Sequence, residues 1–214
     1  MSVVAPAILS ETPDDYKLQV ERLHEFTERV HIDIADGEFA PTFTVGAAQV
    51  WWPQEWTVDI HAMVARPSEH LETLVSLKPH MIIFHAEVQE DITPVLQHVK
   101  KFGIKAGLAL LRSTVPSTVA AAIKEADHVM IFSGDLGKHG GTANMMQLEK
   151  IRLVKVINPS VEIGWDGGVT VENAYSLSQG GVDVLNVGGT IANSEDPKTV
   201  YATLVNEINK HGII

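Results

Sequence analysis

The stretch VHIDIADG (30–37) decides how this chain is read. Val30, Ile32 and Ile34 alternate with His31 and Asp33 at the period of two of a β-strand, and Asp36 and Gly37 supply a turn. His31 and Asp33 therefore share one face, while the branched aliphatic residues take the other. A carboxylate buried without a partner is costly. The strand is expected to end at a site where something is bound.

Runs of the same kind recur along the chain: VVAPAIL (3–9), RVHIDIA (29–35), TVDIHAMV (57–64), MIIFHAE (81–87), KAGLALL (105–111), HVMIFSG (128–134), EIGWDGG (162–168) and VDVLNVG (182–188). Between them lie helical patterns at 14–27, 67–77, 115–125, 145–157, 171–180 and 197–211. Thr12, Thr170 and the Ser194 to Pro197 segment are placed to cap three of them. This is the strand–helix rhythm of a parallel sheet. No linker, low-complexity tract or charge block divides the series. About eight units in an unbroken row predict one α/β domain over residues 1–214, a closed (β/α)8 TIM barrel rather than an open doubly wound sheet.

Composition narrows the function. The 214 residues are 45% hydrophobic, enough for a substantial core, and no apolar run approaches the ~20 residues of a membrane span. A formal charge of -11 argues against nucleic acid or an anionic membrane as partner. An anionic ligand would have to be held locally, by backbone N–H groups or a few cations. The first residues, MSVVAPAILSE, lack the basic and long apolar regions of a signal peptide, so an intracellular, cytoplasmic location is expected. The absence of cysteine excludes thiolate catalysis, thiolate-ligated zinc and disulfides.

Active sites of such barrels lie at the C-terminal ends of the strands. His31 and Asp33 close the second run, His61 the third, His85 and Glu87 the fourth, and Asp166 the seventh. Each interrupts an apolar run where a parallel strand favours Val, Ile or Leu. Two imidazoles and two carboxylates, His31, Asp33, His61 and Asp166, suit one divalent transition metal such as Zn, Fe(II), Mn or Co. Asp59 is expected to orient a ligand from behind, and His85 to do the same or to touch substrate. His24, His70, His80, His98, His128 and His211 are read as surface or packing residues. The glycine pairs Gly140-Gly141, Gly167-Gly168 and Gly188-Gly189 follow the last three strands, where barrel loops often cradle a phosphate. Lys138 and His139 are placed to add charge there.

Taken in order, these segments resemble the ribulose-phosphate 3-epimerase family. APAILSE (5–11) is similar to its opening strand, VHIDIADGEFAPTFTVG (30–46) to its H-x-D-x-x-D-G-x-F-x-P segment, and VDIHAMVARP (58–67) to its D-x-H-x-M-V-x-x-P segment. FHAE (84–87), GLAL (107–110), WDGGV (165–169) and GVDVLNVGGT (181–190) follow in the family's order. The resemblance implies a barrel of the ribulose-phosphate-binding type with one divalent metal on His31, Asp33, His61 and Asp166. It further implies inversion at C3 of a ketose phosphate, D-ribulose 5-phosphate to D-xylulose 5-phosphate, through a cis-enediolate, with Asp33 and Asp166 as the acid–base pair. Ser10 and His85 match positions that contact substrate in the family, and Met63 and Met130 match methionines packed near its metal; Met63, Gly140, Gly141, Gly167, Gly168, Gly189 and Thr190 complete the expected substrate-binding set. The expected partners are the sugar phosphate and further copies of the chain, in carbohydrate metabolism of the pentose phosphate type.

Departures from the family pattern are local. Ala35 replaces a methionine, Thr42 an asparagine, and Leu111-Arg112 an asparagine–proline pair, while the sixth loop, SGDLGKHGGT (133–142), is longer and differently charged. A hexulose 6-phosphate such as D-allulose 6-phosphate is the alternative substrate, and a non-catalytic sugar-phosphate binder the alternative of another class. Related barrels that decarboxylate or perform aldol chemistry place a lysine among the carboxylates of the third strand, and VDIHAMV has none. Trp51 and Trp52 are expected to be buried against the barrel.

Overall fold

The structure is a computed structural model describing residues 2–138 and 140–210, so the expectations for His139 and His211 lie outside the described residues. Eight strands, Val3–Ile8 (β1), Arg29–Ala35 (β2), Thr57–Met63 (β3), Met81–His85 (β4), Lys105–Leu110 (β5), His128–Phe132 (β6), Glu162–Asp166 (β7) and Val184–Val187 (β8), pair in chain order. All pairs are parallel, and β8 closes on β1. The predicted TIM barrel is what forms.

Helices cover its outer wall: Pro13–His24 (α1), Pro67–Ser76 (α2), Ile92–Lys101 (α3), Ala120–Glu125 (α4), Glu149–Ile157 (α5), Val171–Gln179 (α6), Gly189–Ala192 (α7) and Pro197–Ile208 (α8). Local chemistry sets their starts. The Thr12 side chain accepts from the Asp15 N–H with Pro13 opening α1, Thr170 and Asn173 form a reciprocal capping box on α6, and Asp196 caps α8. Short 3₁₀ turns, Pro116–Val119 and Met145–Leu148, lead into α4 and α5, where the sequence periodicity predicts continuous helices. No described helix is long and apolar enough to cross a membrane.

The second crossover departs from the expected repeat. Residues 36–56 carry no helix; Val45, Val50 and Trp56 bury themselves in the core from an irregular path instead. Pro41 and Pro53, with Gly37 and Gly46, interrupt any helical run there. Trp52 packs half-buried against the core as expected, but Trp51 is 47% exposed and stands edge-on to Tyr16. The Tyr16 hydroxyl donates to the Trp51 carbonyl at 2.6 Å, so its backbone rather than its ring is the anchor.

The main apolar core lies between barrel and helices, where Trp165, Phe84, Ile60, Leu74 and Leu96 are fully buried. Inside the barrel the apolar filling is smaller: Met81, Ile83, Ala109, Met130 and Phe132, with Ala35, Ala40 and Met63 nearer β2 and β3. Polar groups fill the remaining interior in two layers. At the N-terminal floor, Arg29 donates to Asp59 at 2.7 Å and to both Glu162 oxygens at 3.0 and 3.2 Å. His80 and His128 complete this layer, with Nδ1 at 2.7 Å from Asp59 and 2.8 Å from Glu162 respectively. Asp59 thus belongs to the floor and not to the ligand layer expected for it. Its position two residues before His61 puts it on the same face but one layer too deep. His128 is likewise buried in this network. A Cβ on Gly164 would lie 2.3 Å from His128 Nε2, which accounts for a glycine in the middle of β7.

Candidate metal centre

The upper polar layer is built by strand register. Asp33 on β2 pairs with His61 on β3, His31 lies beside Ala7 of β1, and Asp166 ends β7 beside Asn186 of β8. Alternation points all four side chains into the barrel mouth. One donor atom from each of His31, Asp33, His61 and Asp166 lies within 4.8 Å of the others. Among the described residues this is the one such group of His and acidic side chains, and it is the group read from the sequence.

Its interior contacts are close. His61 Nδ1 is 2.8 Å from Asp33 Oδ1 and 3.7 Å from Asp166 Oδ2, and His31 Nε2 is 3.4 and 3.9 Å from the same two oxygens. The imidazoles are completely buried, whereas Asp33 and Asp166 reach the wall of the cleft above. Both ring nitrogens of His31 lack a hydrogen-bond partner. Such orphaned buried nitrogens are rare in native proteins. Burial works to raise the Asp33 carboxyl, but His31 and His61 outweigh it and hold Asp33 well below the usual carboxylate range. Two imidazoles and two carboxylates converging around the orphaned His31 nitrogens fit a divalent transition metal ion, whose charge would suit both carboxylates and the His31 lone pair.

Behind the cluster, His85 Nε2 sits 2.8 Å from His61 Nε2, and His85 Nδ1 is 3.3 Å from Glu87 Oε2. Burial pushes the His85 imidazole down to about 4 despite the hydrogen bond to Glu87, so it is neutral at pH 7. Phe39 and Phe132 flank its ring at centroid distances of 4.7 and 5.5 Å. Phe132 also packs on His61 at 5.9 Å. Phe132 carries no signal in the sequence, because it fits an ordinary apolar strand position, whereas Phe39 is marked only as a position of the H-x-D-x-x-D-G-x-F-x-P segment.

The cleft runs from the two carboxylates across Met63 to the loops after β6, β7 and β8. Gly140, Gly141, Gly167, Gly168, Gly188, Gly189 and Thr190 line that side, with Lys138 and Asp135 at its edge. Gly167 has φ +101°, and a Cβ there would lie 2.0 Å from the Gly134 nitrogen, so the seventh loop can approach the sixth only through glycine. Trp165 steadies the turn, its Nε1–H donating to the Gly167 carbonyl at 3.0 Å. Of the other residues singled out in the sequence, Met63 and Thr190 reach the wall, while Ser10 and His85 are buried off it. The Ser10 hydroxyl is taken up by Asp15 and the Thr12 carbonyl. Met130 lies inside the barrel, with Asn186 Nδ2 3.1 Å from its sulfur.

Known proteins resemble this chain over most of its length. The profile of the Ribulose-phosphate 3 epimerase family matches residues 3–192. A ribulose-phosphate 3-epimerase of Helicobacter pylori is 31% identical over 210 residues, covering 95% of this chain and 96% of its own. One from Aquifex aeolicus is 28% identical over 204 residues, covering 92% of each chain. Among solved structures, the 3-hexulose-6-phosphate synthase of Salmonella typhimurium superposes with a TM-score of 0.69 over 97% of this chain and 98% of that one. At 12% identity, that likeness concerns the fold alone.

Proposed function

This chain belongs to the ribulose-phosphate 3-epimerase family and is an epimerase, and on that premise we propose that it inverts C3 of D-ribulose 5-phosphate to give D-xylulose 5-phosphate. The observation that carries the proposal is the convergence of His31, Asp33, His61 and Asp166 beneath a glycine-lined cleft. When bound there, a divalent cation would supply Lewis acidity toward the oxygens on C2 and C3.

The chain's own groups do the rest. The phosphate sits against the glycine side of the cleft, where backbone N–H groups can receive it without a basic cluster. That arrangement reconciles an anionic substrate with a net charge of -11. Asp33, held ionised, accepts the C3 proton, and the electron pair left behind is shared with the C2 carbonyl as an enediolate. Asp166 enters as the carboxylic acid and returns a proton to C3 from the opposite side. It stands on β7, separated from β2 by β1 and β8, so the two carboxyl groups approach the sugar from different strands. Each turnover leaves the proton on the other aspartate, ready for the reverse direction or for exchange with solvent.

Substitution tests both roles. Asp33→Asn and Asp166→Asn should each lower turnover of D-ribulose 5-phosphate by at least ~10²-fold, the lower end of acid–base contributions. Formation of D-xylulose 5-phosphate carrying solvent deuterium at C3 should be lost in both variants, as followed by proton NMR in D2O. Either variant turning over at the parent rate would contradict the assignment. D-allulose 6-phosphate, assayed in parallel, reports whether the departing sixth loop admits a six-carbon chain.

A further inference from the structure

Glu87 stands just beyond the end of β4, outside the four-residue cluster and off the cleft wall, yet its side chain is only 21% exposed. One oxygen accepts from the Leu111 N–H at 2.9 Å and from the Thr114 hydroxyl. The other faces His85 Nδ1 at 3.3 Å, and His85 Nε2 in turn faces His61 Nε2 at 2.8 Å. The result is a buried row from a carboxylate through two imidazoles to the cluster.

We propose that Glu87 is a positioning residue which, through His85, fixes the proton of His61 on Nε2 and so leaves Nδ1 free to bind a cation. The assignment follows from counting hydrogens and rests on the metal reading given under Proposed function. His61 Nδ1 is the atom beside Asp33 and Asp166, so in the cation-bound state it carries a lone pair and Nε2 carries the proton. That proton points at His85 Nε2, which must be an acceptor. A neutral His85 then has its own proton on Nδ1, and a carboxylate, which only accepts, is the group found there. A donor in place of Glu87 would invert every link of the row. Outer partners of this kind orient metal-ligating histidines generally; here the orientation is relayed through a second imidazole.

Glu87→Gln separates this role from a structural one. The amide oxygen can still accept from Leu111 and Thr114, while the amide NH2 meets His85 Nδ1 as a donor. The His85 proton is then driven to Nε2 and the His61 proton to Nδ1. Co(II) affinity, measured by competition with a chromophoric chelator, should fall tenfold or more, roughly the lower end for outer-shell substitutions. Nitrogen-15 NMR of the imidazoles should show His85 changing tautomer. His85→Asn, which keeps a donor toward Glu87 but removes the acceptor facing His61, should lose affinity similarly. Thr114→Val supplies the structural control, with lower urea resistance and unchanged Co(II) affinity.

Co(II) affinity in E87Q within twofold of the parent, or parallel affinity losses in E87Q and T114V, would overturn the proposal while leaving the metal reading intact. Equal Co(II) affinity in the parent and in His61→Ala would overturn both. The H61A comparison thus distinguishes failure of the relay from failure of the site it serves.

Discussion

Arg29 shows how a single side chain can hold one end of the barrel together. It bonds to Asp59, which is 1% exposed, and to Glu162, so its removal leaves a buried carboxylate with His80 as its remaining hydrogen-bonded side-chain partner among the described residues. Arg29→Met should destabilise the protein by about 3–5 kcal/mol, the range for breaking one side of a buried ion pair, as measured by urea denaturation. A loss under about 1 kcal/mol would show that His80 alone satisfies Asp59. The same residues mark where sequence reading stops. His31, Asp33, His61 and Asp166 are legible because each breaks an apolar run near its C-terminal end. Asp59 breaks one as well, but alternation specifies a face and not a depth. Only the register of β3 against β2 and β4 shows that Asp59 faces the floor network. Glu87 is legible as a polar residue at a strand end, but its partners Leu111 and Thr114 lie beyond β5 and leave no local trace.

Among the elements, the turn between β7 and α6 has the narrowest tolerance. Gly167 and Gly168 both have positive φ, and a Cβ on Gly168 would come 2.1 Å from the Ala143 nitrogen. Gly167→Ala should push the sixth and seventh loops apart while leaving the barrel folded. Weaker binding of inorganic phosphate by calorimetry, with an unchanged far-ultraviolet circular dichroism spectrum, is the expected result; unchanged phosphate binding would separate this turn from the anion site. Glycine pairs after late strands are visible in any sequence, but their close approach across loops is a tertiary fact. The segment 36–56 illustrates the opposite limit. The rhythm of about eight strand–helix units implies a helix in each crossover, yet prolines, glycines and four buried apolar residues, Ala40, Val45, Val50 and Trp56, cover the barrel there without one. Tertiary burial supplied what local helical structure did not.

For the whole molecule, closure of the barrel gathers acidic groups at both ends of one interior, and acid sensitivity follows. Burial tends to raise the Glu162 and Asp59 carboxyls, but His128 and Arg29 around the first and His80 and Arg29 around the second hold both below the ordinary range. Groups lowered in the folded state stabilise it above their unfolded values, about 4, and that stability is lost as pH falls toward the folded values. The urea midpoint should therefore hold level through neutral pH and decline below about pH 4. Glu162→Gln should flatten part of that decline, and a midpoint independent of pH down to 3 would contradict the floor network's role. Closure was readable from eight uninterrupted runs; the polar floor was not, because its five members come from five separate segments.

The central claim is that the two carboxylates over the His31, Asp33, His61 and Asp166 centre move a proton at C3 of a sugar phosphate. The most direct test is proton NMR in D2O of the metal-loaded protein with D-ribulose 5-phosphate. D-xylulose 5-phosphate carrying deuterium at C3 is the expected product, with loss of both signals after chelation. Epimer formed without solvent deuterium, or no exchange at C3 with the cation bound at the four-residue centre, would contradict it.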